Sequence, residues 1–182
     1  MRLVTSRLII REYKPEDVAD LVRNINNLNV SRYMAVIPFP YAVKDARWWI
    51  KQCAERNHEI PRTHYDLGIE LKSEKRLIGG IGLEDVNMKN STAELGYWLG
   101  APYWRNGYMT EVLRAMLNFA FDKLKLRRIE IPTFVENLAS TSLARKLGAK
   151  PEGIKRQAVK SLSTGKIHDT NIQGLLKKDY KK

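Results

Sequence analysis

The residues that could do chemistry cluster in Tyr103-Trp104-Arg105-Asn106-Gly107-Tyr108-Met109-Thr110-Glu111. A turn that opens a helix presents unpaired backbone N–H groups, and the helix dipole adds positive potential there. Such a junction suits an anion, phosphate above all. Gly107 permits a close backbone approach or an unusual dihedral, and Arg105 adds charge. The stretch is neither G-x-x-x-x-G-K-[ST] nor G-x-G-x-x-G, so it is not a nucleotide loop of either common type. A purely structural turn is the other reading of the same residues. Metal chemistry finds little support. Cys53, His58, His64 and His168 contain no close C-x-x-C or H-x-x-x-H pair. Cys53 lies among apolar helix positions without a base beside it, which argues against a covalent thioester route.

The elements around that turn follow from periodicity. Leu3 to Tyr13 reads as a strand. Pro15, Glu16 and Asp17 then open a helix striped by Val18, Leu21, Val22, Ile25 and Leu28. Residues 43–57 return to helical spacing. Tyr65 to Lys72 and Leu77 to Val86 alternate about the polar turn Ser73-Glu74-Lys75 and predict a hairpin. Residues 92–99 form a strand, 108–125 a long helix and 128–134 a strand. Residues 138–147 form a short helix closed by Gly148. Strands at 154–162 and 167–176 meet at Ser163-Thr164-Gly165. The order βααβββαβαββ predicts an α+β fold: a mixed, mostly antiparallel twisted sheet with flanking helices and one central βαβ unit over 92–134. No linker or repeat divides residues 1–182, so one domain is expected.

Composition narrows the class. The chain has 182 residues and a formal net charge of +12, with hydrophobic residues at 43%. This is a globular composition rather than a disordered one. No apolar run approaches the roughly 18 residues of a membrane span, and the N-terminus lacks an uninterrupted apolar signal segment. A single cysteine excludes an internal disulfide and suits a reducing cytosol. The basic excess is uneven: residues after 144 hold eleven basic and three acidic residues, about two thirds of the net charge. A basic end can steer an acidic ligand or partner, or be a solvated surface.

Several blocks, in order, resemble the GNAT superfamily of acetyl-CoA-dependent N-acetyltransferases, and within it the RimJ/RimL-like group that acetylates ribosomal-protein N-termini. They are Thr5-Ser6-Arg7-Leu8-Ile9-Ile10-Arg11, Pro15-Glu16-Asp17, Leu77-Ile78-Gly79-Gly80-Ile81-Gly82-Leu83 and Ala93-Glu94-Leu95-Gly96-Tyr97-Trp98-Leu99. The 103–111 turn, Asn137-Leu138-Ala139-Ser140 and Lys146-Leu147-Gly148 complete the set. The resemblance covers nearly the whole chain. It implies that the amides of Arg105, Asn106, Gly107, Tyr108, Met109 and Thr110 cradle the CoA pyrophosphate. Of the family pattern Q/R-x-x-G-x-G/A only the central Gly107 is kept, with Trp104 and Met109 at the outer places. It implies further that the 92–99 strand splays from its neighbour, leaving the backbone of Tyr97, Trp98 and Leu99 to the pantetheine arm.

For chemistry, the resemblance nominates Glu94 as general base, with Glu84 in reserve and near the substrate. The acid tyrosine common in the family falls at Ala144 here, so Ser140 is the expected proton donor or hydrogen-bond donor to the leaving sulfur. Asn137 orients the cofactor, caps its helix, or does both. Tyr33, Met34, Phe39 and Tyr41 lie where the family builds its acceptor groove. The expected activity is acetyl transfer from acetyl-CoA, without a metal, to a primary amine by direct attack. A protein N-terminal α-amine is the preferred acceptor. The alternatives are a small amine, such as a polyamine or aminoglycoside, and a non-catalytic RNA- or ribosome-binding module. The resemblance also implies a cytoplasmic protein without a membrane partner, with ribosome association and homodimerisation as open expectations.

Overall fold

The computed structural model describes residues 1–181. Eight strands form one sheet: β1 (Arg2–Val4), β2 (Leu8–Arg11), β3 (Tyr65–Leu71), β4 (Arg76–Asn87), β5 (Thr92–Leu99), β6 (Arg128–Phe134), β7 (Lys150–Lys160) and β8 (Ile167–Leu176). Their spatial order is β1-β2-β3-β4-β5-β6-β8-β7. Every pairing is antiparallel except β5–β6. That one parallel pair needs a crossover, and α4 (Tyr108–Asn118) supplies it.

Helix α4 buries Val112, Leu113, Met116 and Leu117 completely. These residues, with Ala144 and Leu147 of or beside α5 (Leu138–Lys146), cover one face of the sheet. On the other face α1 (Val18–Ile25) and α3 (Val43–Arg56) pack Leu21, Ile25, Ala46 and Ile50 on Leu77, with Tyr13 and Trp98 beside them. Burial of two apolar stripes on opposite faces fixes both helix layers against a single sheet. No helix among the described residues is long and apolar enough to cross a membrane.

Three local expectations change. Leu3 to Tyr13 is not one strand but a tight pair, β1 against β2, with Leu3 opposite Ile10. Neither glycine nor proline marks the reversal. Thr5 closes it instead, its Oγ1 accepting from the Leu8 N–H at 3.0 Å, a side-chain turn that hydropathy does not register. The first helix stops at Asn26, and Asn27 caps a separate short helix, α2 (Leu28–Ser31), by accepting from the Asn29 N–H. Leu28 therefore leaves the stripe and is exposed. The long helix ends as α at Asn118 and continues for one wider, π-helical turn through Lys123.

Candidate active site

The parallel ladder between β5 and β6 is short. It pairs Thr92 with Arg128, Ala93 with Ile129 and Glu94 with Glu130, and then stops. Residues Leu95 to Leu99 stay paired with β4 alone. Because the Gly100 N–H bonds the Ile78 carbonyl, alternation turns the backbone groups of Leu95, Tyr97 and Leu99 toward the gap. An extended ligand with amide groups can pair with such an edge. The Leu99 carbonyl already accepts from the Trp104 indole Nε1 at 2.7 Å. Trp104 thus pins the following loop to the end of β5, a structural use of the side chain that stands at the family's Q/R place.

That loop is held in a strained conformation. Arg105 has φ +62° and Gly107 φ +76°, both in the left-handed region that favours glycine. Gly107 is the N-cap of α4, so the amides after it are free for an anion. Beside the loop lies a concavity of about 800 Å³, whose lining sets Arg7, Arg114, Lys123 and Lys146 against Glu111 and Asp122. An open strand edge, a left-handed turn at a helix N-terminus and flanking cations together fit the acyl-CoA shape: an amide-bearing arm joined to a polyanion.

The expected acid and its surroundings sit on the α4–α5 side. Asn137 caps α5, its Oδ1 accepting from the Ser140 N–H at 3.2 Å. The Ser140 hydroxyl lies 2.7 Å from the Tyr97 hydroxyl. This pair bridges the open end of the split, one group from β5 and one from α5. Burial raises the Tyr97 phenol above its ordinary value, with the Ser140 hydrogen bond working the other way. Tyr97 therefore keeps its proton at neutral pH. Sequence reasoning used only the Tyr97 backbone and missed its side chain. The alternation Ala93, Leu95, Tyr97, which sends Tyr97 toward the α5 layer, was the available signal. Ala144, where the family's common tyrosine would fall, is fully buried.

The carboxylates lie on the opposite face. Glu84, Glu94 and Glu130 occupy adjacent registers of β4, β5 and β6. Like charges directly opposite one another are unfavourable. Burial raises the Glu94 carboxyl, followed by Glu130 and Asp85, against Lys155. Glu84 is raised by desolvation and then by Asp66. Its Oε1 stands over the glycines of β4 and β5: a Cβ at Gly96 would lie 3.5 Å from it and one at Gly82 4.0 Å. Partial compensation comes from Lys155 and Arg128 near Glu130, and from Arg56 bonded to Asp66.

The proposed acceptor residues divide. Tyr33 and Met34 are half-buried and Phe39 is exposed in the segment before α3. Tyr41 is 3% exposed and packs within the α1–α3 cluster. The turn after β7 reaches this segment: Leu162 N–H bonds Ala35 O at 3.0 Å and Ser163 Oγ bonds Ser31 O at 3.0 Å. The terminal hairpin thereby borders the segment that carries Tyr33 and Met34, a contact between segments more than a hundred residues apart. Among the described residues no group of His, Cys, Asp and Glu is arranged to hold a metal ion.

Residues 7–150 match the acetyltransferase (GNAT) domain family. The chain belongs to the GNAT acetyltransferases and is an acyltransferase. It is 32% identical to the uncharacterized N-acetyltransferase YoaA of Bacillus subtilis strain 168, over 96% of each chain. It is 34% identical to the ribosomal-protein-serine acetyltransferase of Escherichia coli K12, over 47% of this chain and 48% of that one. The fold is shared with the microcin C7 self-immunity acetyltransferase MccE, solved with acetyl-CoA and AMP: TM-score 0.82, 24% identity, covering 94% of this chain and 93% of that one.

Proposed function

We propose that the chain, acting as a single N-acetyltransferase domain, transfers acetyl from acetyl-CoA to a protein N-terminal α-amine, of the ribosomal-protein kind. The observation that carries this is the β5–β6 split, with Glu94 at its closed end on one face and the Tyr97–Ser140 pair at its open end on the other. The amides of Arg105 to Thr110 hold the pyrophosphate, and the gap-facing backbone of Tyr97 and Leu99, with Asn137 nearby, aligns the arm, whereas the Trp98 backbone, expected to join them, is turned to β4. Acetyl-CoA supplies a thioester whose acetyl carbon an unprotonated amine can attack.

Glu94 removes the proton from the incoming ammonium, directly or through one water. Its raised carboxyl is the better base for that. The three-strand set of glutamates also attracts a cationic acceptor, which repulsion among them favours. A free α-amine, with a pKa near ~8 against ~10.4 for lysine, asks less of this base. As nitrogen bonds to the acetyl carbon and the carbon–sulfur bond breaks, Ser140 gives its proton to the sulfur, and the Tyr97–Ser140 pair is refilled by the second proton that the nitrogen sheds as it becomes the amide. Tyr33, Met34 and Phe39 form the wall against which the first acceptor residues lie. The basic hairpin bears on docking of an acidic protein or ribosomal partner in the cytosol, as a monomer or a dimer.

The test is a mass-spectrometric screen of N-terminal peptides, whole ribosomal proteins and small amines incubated with acetyl-CoA. N-terminal peptides should gain one acetyl group. Turnover confined to polyamines or aminoglycosides would overturn the acceptor assignment. Salt-sensitive RNA binding without acetyl-CoA binding would favour the non-catalytic reading.

A further inference from the structure

The cofactor loop carries an apparent contradiction. Glu111 lies in the first turn of α4, where a carboxylate competes with an anionic ligand for the same dipole and amides. It is nevertheless ionised. Burial works against its charge, but hydrogen bonds from Thr5, Arg7 and Ser6 pull its carboxyl down to about 2.

The β1–β2 turn resolves the contradiction. Glu111 Oε1 accepts from the Ser6 hydroxyl and the Arg7 N–H, both at 2.9 Å, and Oε2 accepts from Arg7 Nε at 2.8 Å. The carboxylate is thus turned toward the turn and neutralised there. The same guanidinium reaches farther. Its Nη1 donates to the Asn106 carbonyl at 2.9 Å, its carbon lies 4.5 Å from the centre of the Tyr108 ring, and its Nη2 is 3.5 Å from where a Cβ at Gly107 would stand. One side chain touches Asn106, Tyr108 and Glu111.

The Asn106 carbonyl and the Gly107 N–H belong to one planar trans peptide and point in opposite directions. Fixing the carbonyl on Arg7 therefore aims the Gly107 N–H away from Arg7. Free rotation of that peptide would scatter the first donor of the anion site, and the neighbouring positive φ values make rotation of this segment more probable without a restraint.

We propose that Arg7, presented by the β1–β2 turn, is a positioning residue for the CoA pyrophosphate: it orients the Asn106–Gly107 peptide and removes the Glu111 charge from the anion's path. The inference rests on assigning the 105–110 loop to that pyrophosphate. Arg7 acts through the loop rather than by contact with the reacting atoms.

The experiment compares KM and kcat for acetyl-CoA and for acetyl-pantetheine, a thioester without the pyrophosphate, using the full chain. Arg7→Gln should raise KM for acetyl-CoA about tenfold, the loss expected for charge-assisted hydrogen bonds. Its kcat should hold within about twofold, and KM for acetyl-pantetheine should not move. Arg7→Lys keeps the charge but not the fork that spans Glu111 and Asn106, so it should retain most of the defect. Ser6→Ala, a milder change, should shift acetyl-CoA in the same direction by about two- to threefold.

Equal losses with both thioesters would make Arg7 a general stability residue and overturn the proposal. Full rescue by lysine would overturn it too, leaving only a charge effect. Gly107→Val separates the two assignments. If Gly107→Val abolishes the preference for acetyl-CoA while Arg7→Gln leaves it intact, the loop assignment stands and the role of Arg7 fails. If Gly107→Val itself leaves the preference unchanged, the loop assignment fails and the proposal with it.

Discussion

The two ends of the β5–β6 split are built by different means. The end proposed for the cofactor uses backbone: an unpaired strand edge, a left-handed Gly107 and the first amides of α4. Side chains there, Trp104 and Arg7, mainly hold the backbone still. The acceptor end uses side chains, with glutamates from three adjacent strands set against Lys155, Arg128 and Arg56. Their ionisable groups move in opposite directions. Glu111 is pulled down to about 2 by its hydrogen-bond donors despite burial, whereas burial and neighbouring carboxylates raise Glu94. A carboxylate that holds structure is surrounded by donors. One suited to accept a proton is surrounded by other acids.

Breaking the acceptor end at its base should have the largest effect. Glu94→Gln should lower kcat by about 10²–10⁴-fold, measured with a peptide amine at saturating acetyl-CoA. In the parent protein the rate should fall as acid protonates Glu94, at a pH above the ordinary glutamate value. Turnover of Glu94→Gln equal to the parent's across pH would sink the assignment. Next comes the cofactor end. Gly107→Val forces a β-branched residue into the left-handed region and should weaken CoA binding by at least about tenfold, from a strain of roughly 1–2 kcal/mol. Calorimetric titration with CoA checks it.

Tyr97→Phe and Ser140→Ala should each slow kcat about tenfold or more with KM nearly unchanged. The double variant should lose little beyond the worse single one, because the two hydroxyls act as a unit. Additive losses would separate them.

Stability should also distinguish the ends, more modestly. The lowered Glu111 contributes stability that is present above its unfolded value near ~4.3 and is lost as pH falls toward 2. Glu111→Gln should therefore be less stable than the parent by about 1–2 kcal/mol at pH 6, after allowing for the exposure of Arg7, with the gap closing in acid. Glu94 has the opposite sign. Its folded value lies above the unfolded one, so its ionisation removes stability as pH rises through the window between them. Chemical denaturation of Glu94→Gln and Glu111→Gln across pH reads both. The smallest expected effect is on the hairpin: neutralising Arg156, Lys160 and Lys166 together should change turnover of a short uncharged peptide by no more than about twofold. A strongly acidic folded acceptor should lose more, and salt should erase the difference.

Much of this architecture is legible in residue order. Leu77-to-Val86 alternation, the turn at Ser73 to Lys75 and the apolar stripe of α4 each specify an element through local spacing. Gly107 marks the turn that opens α4, because few other residues tolerate its dihedral. The β1–β2 reversal was not legible, since Thr5 closes it through a hydroxyl while Leu3 and Leu8 look continuous. Nor was Tyr97 legible as the partner of Ser140, because 43 residues separate them and only the packing of α5 against the split brings their hydroxyls together.

By itself the sequence determined the elements, the mixed sheet with one crossover, and the glycine turn that opens α4, because periodicity and backbone dihedrals are local properties. Only the tertiary structure decided which carboxylates face one another, which hydroxyl stands behind Ser140, and what neutralises Glu111 in the first turn of α4. Those are questions of distance between remote segments. A side chain's charge, proton and direction depend on what the fold brings within about 3 Å of it.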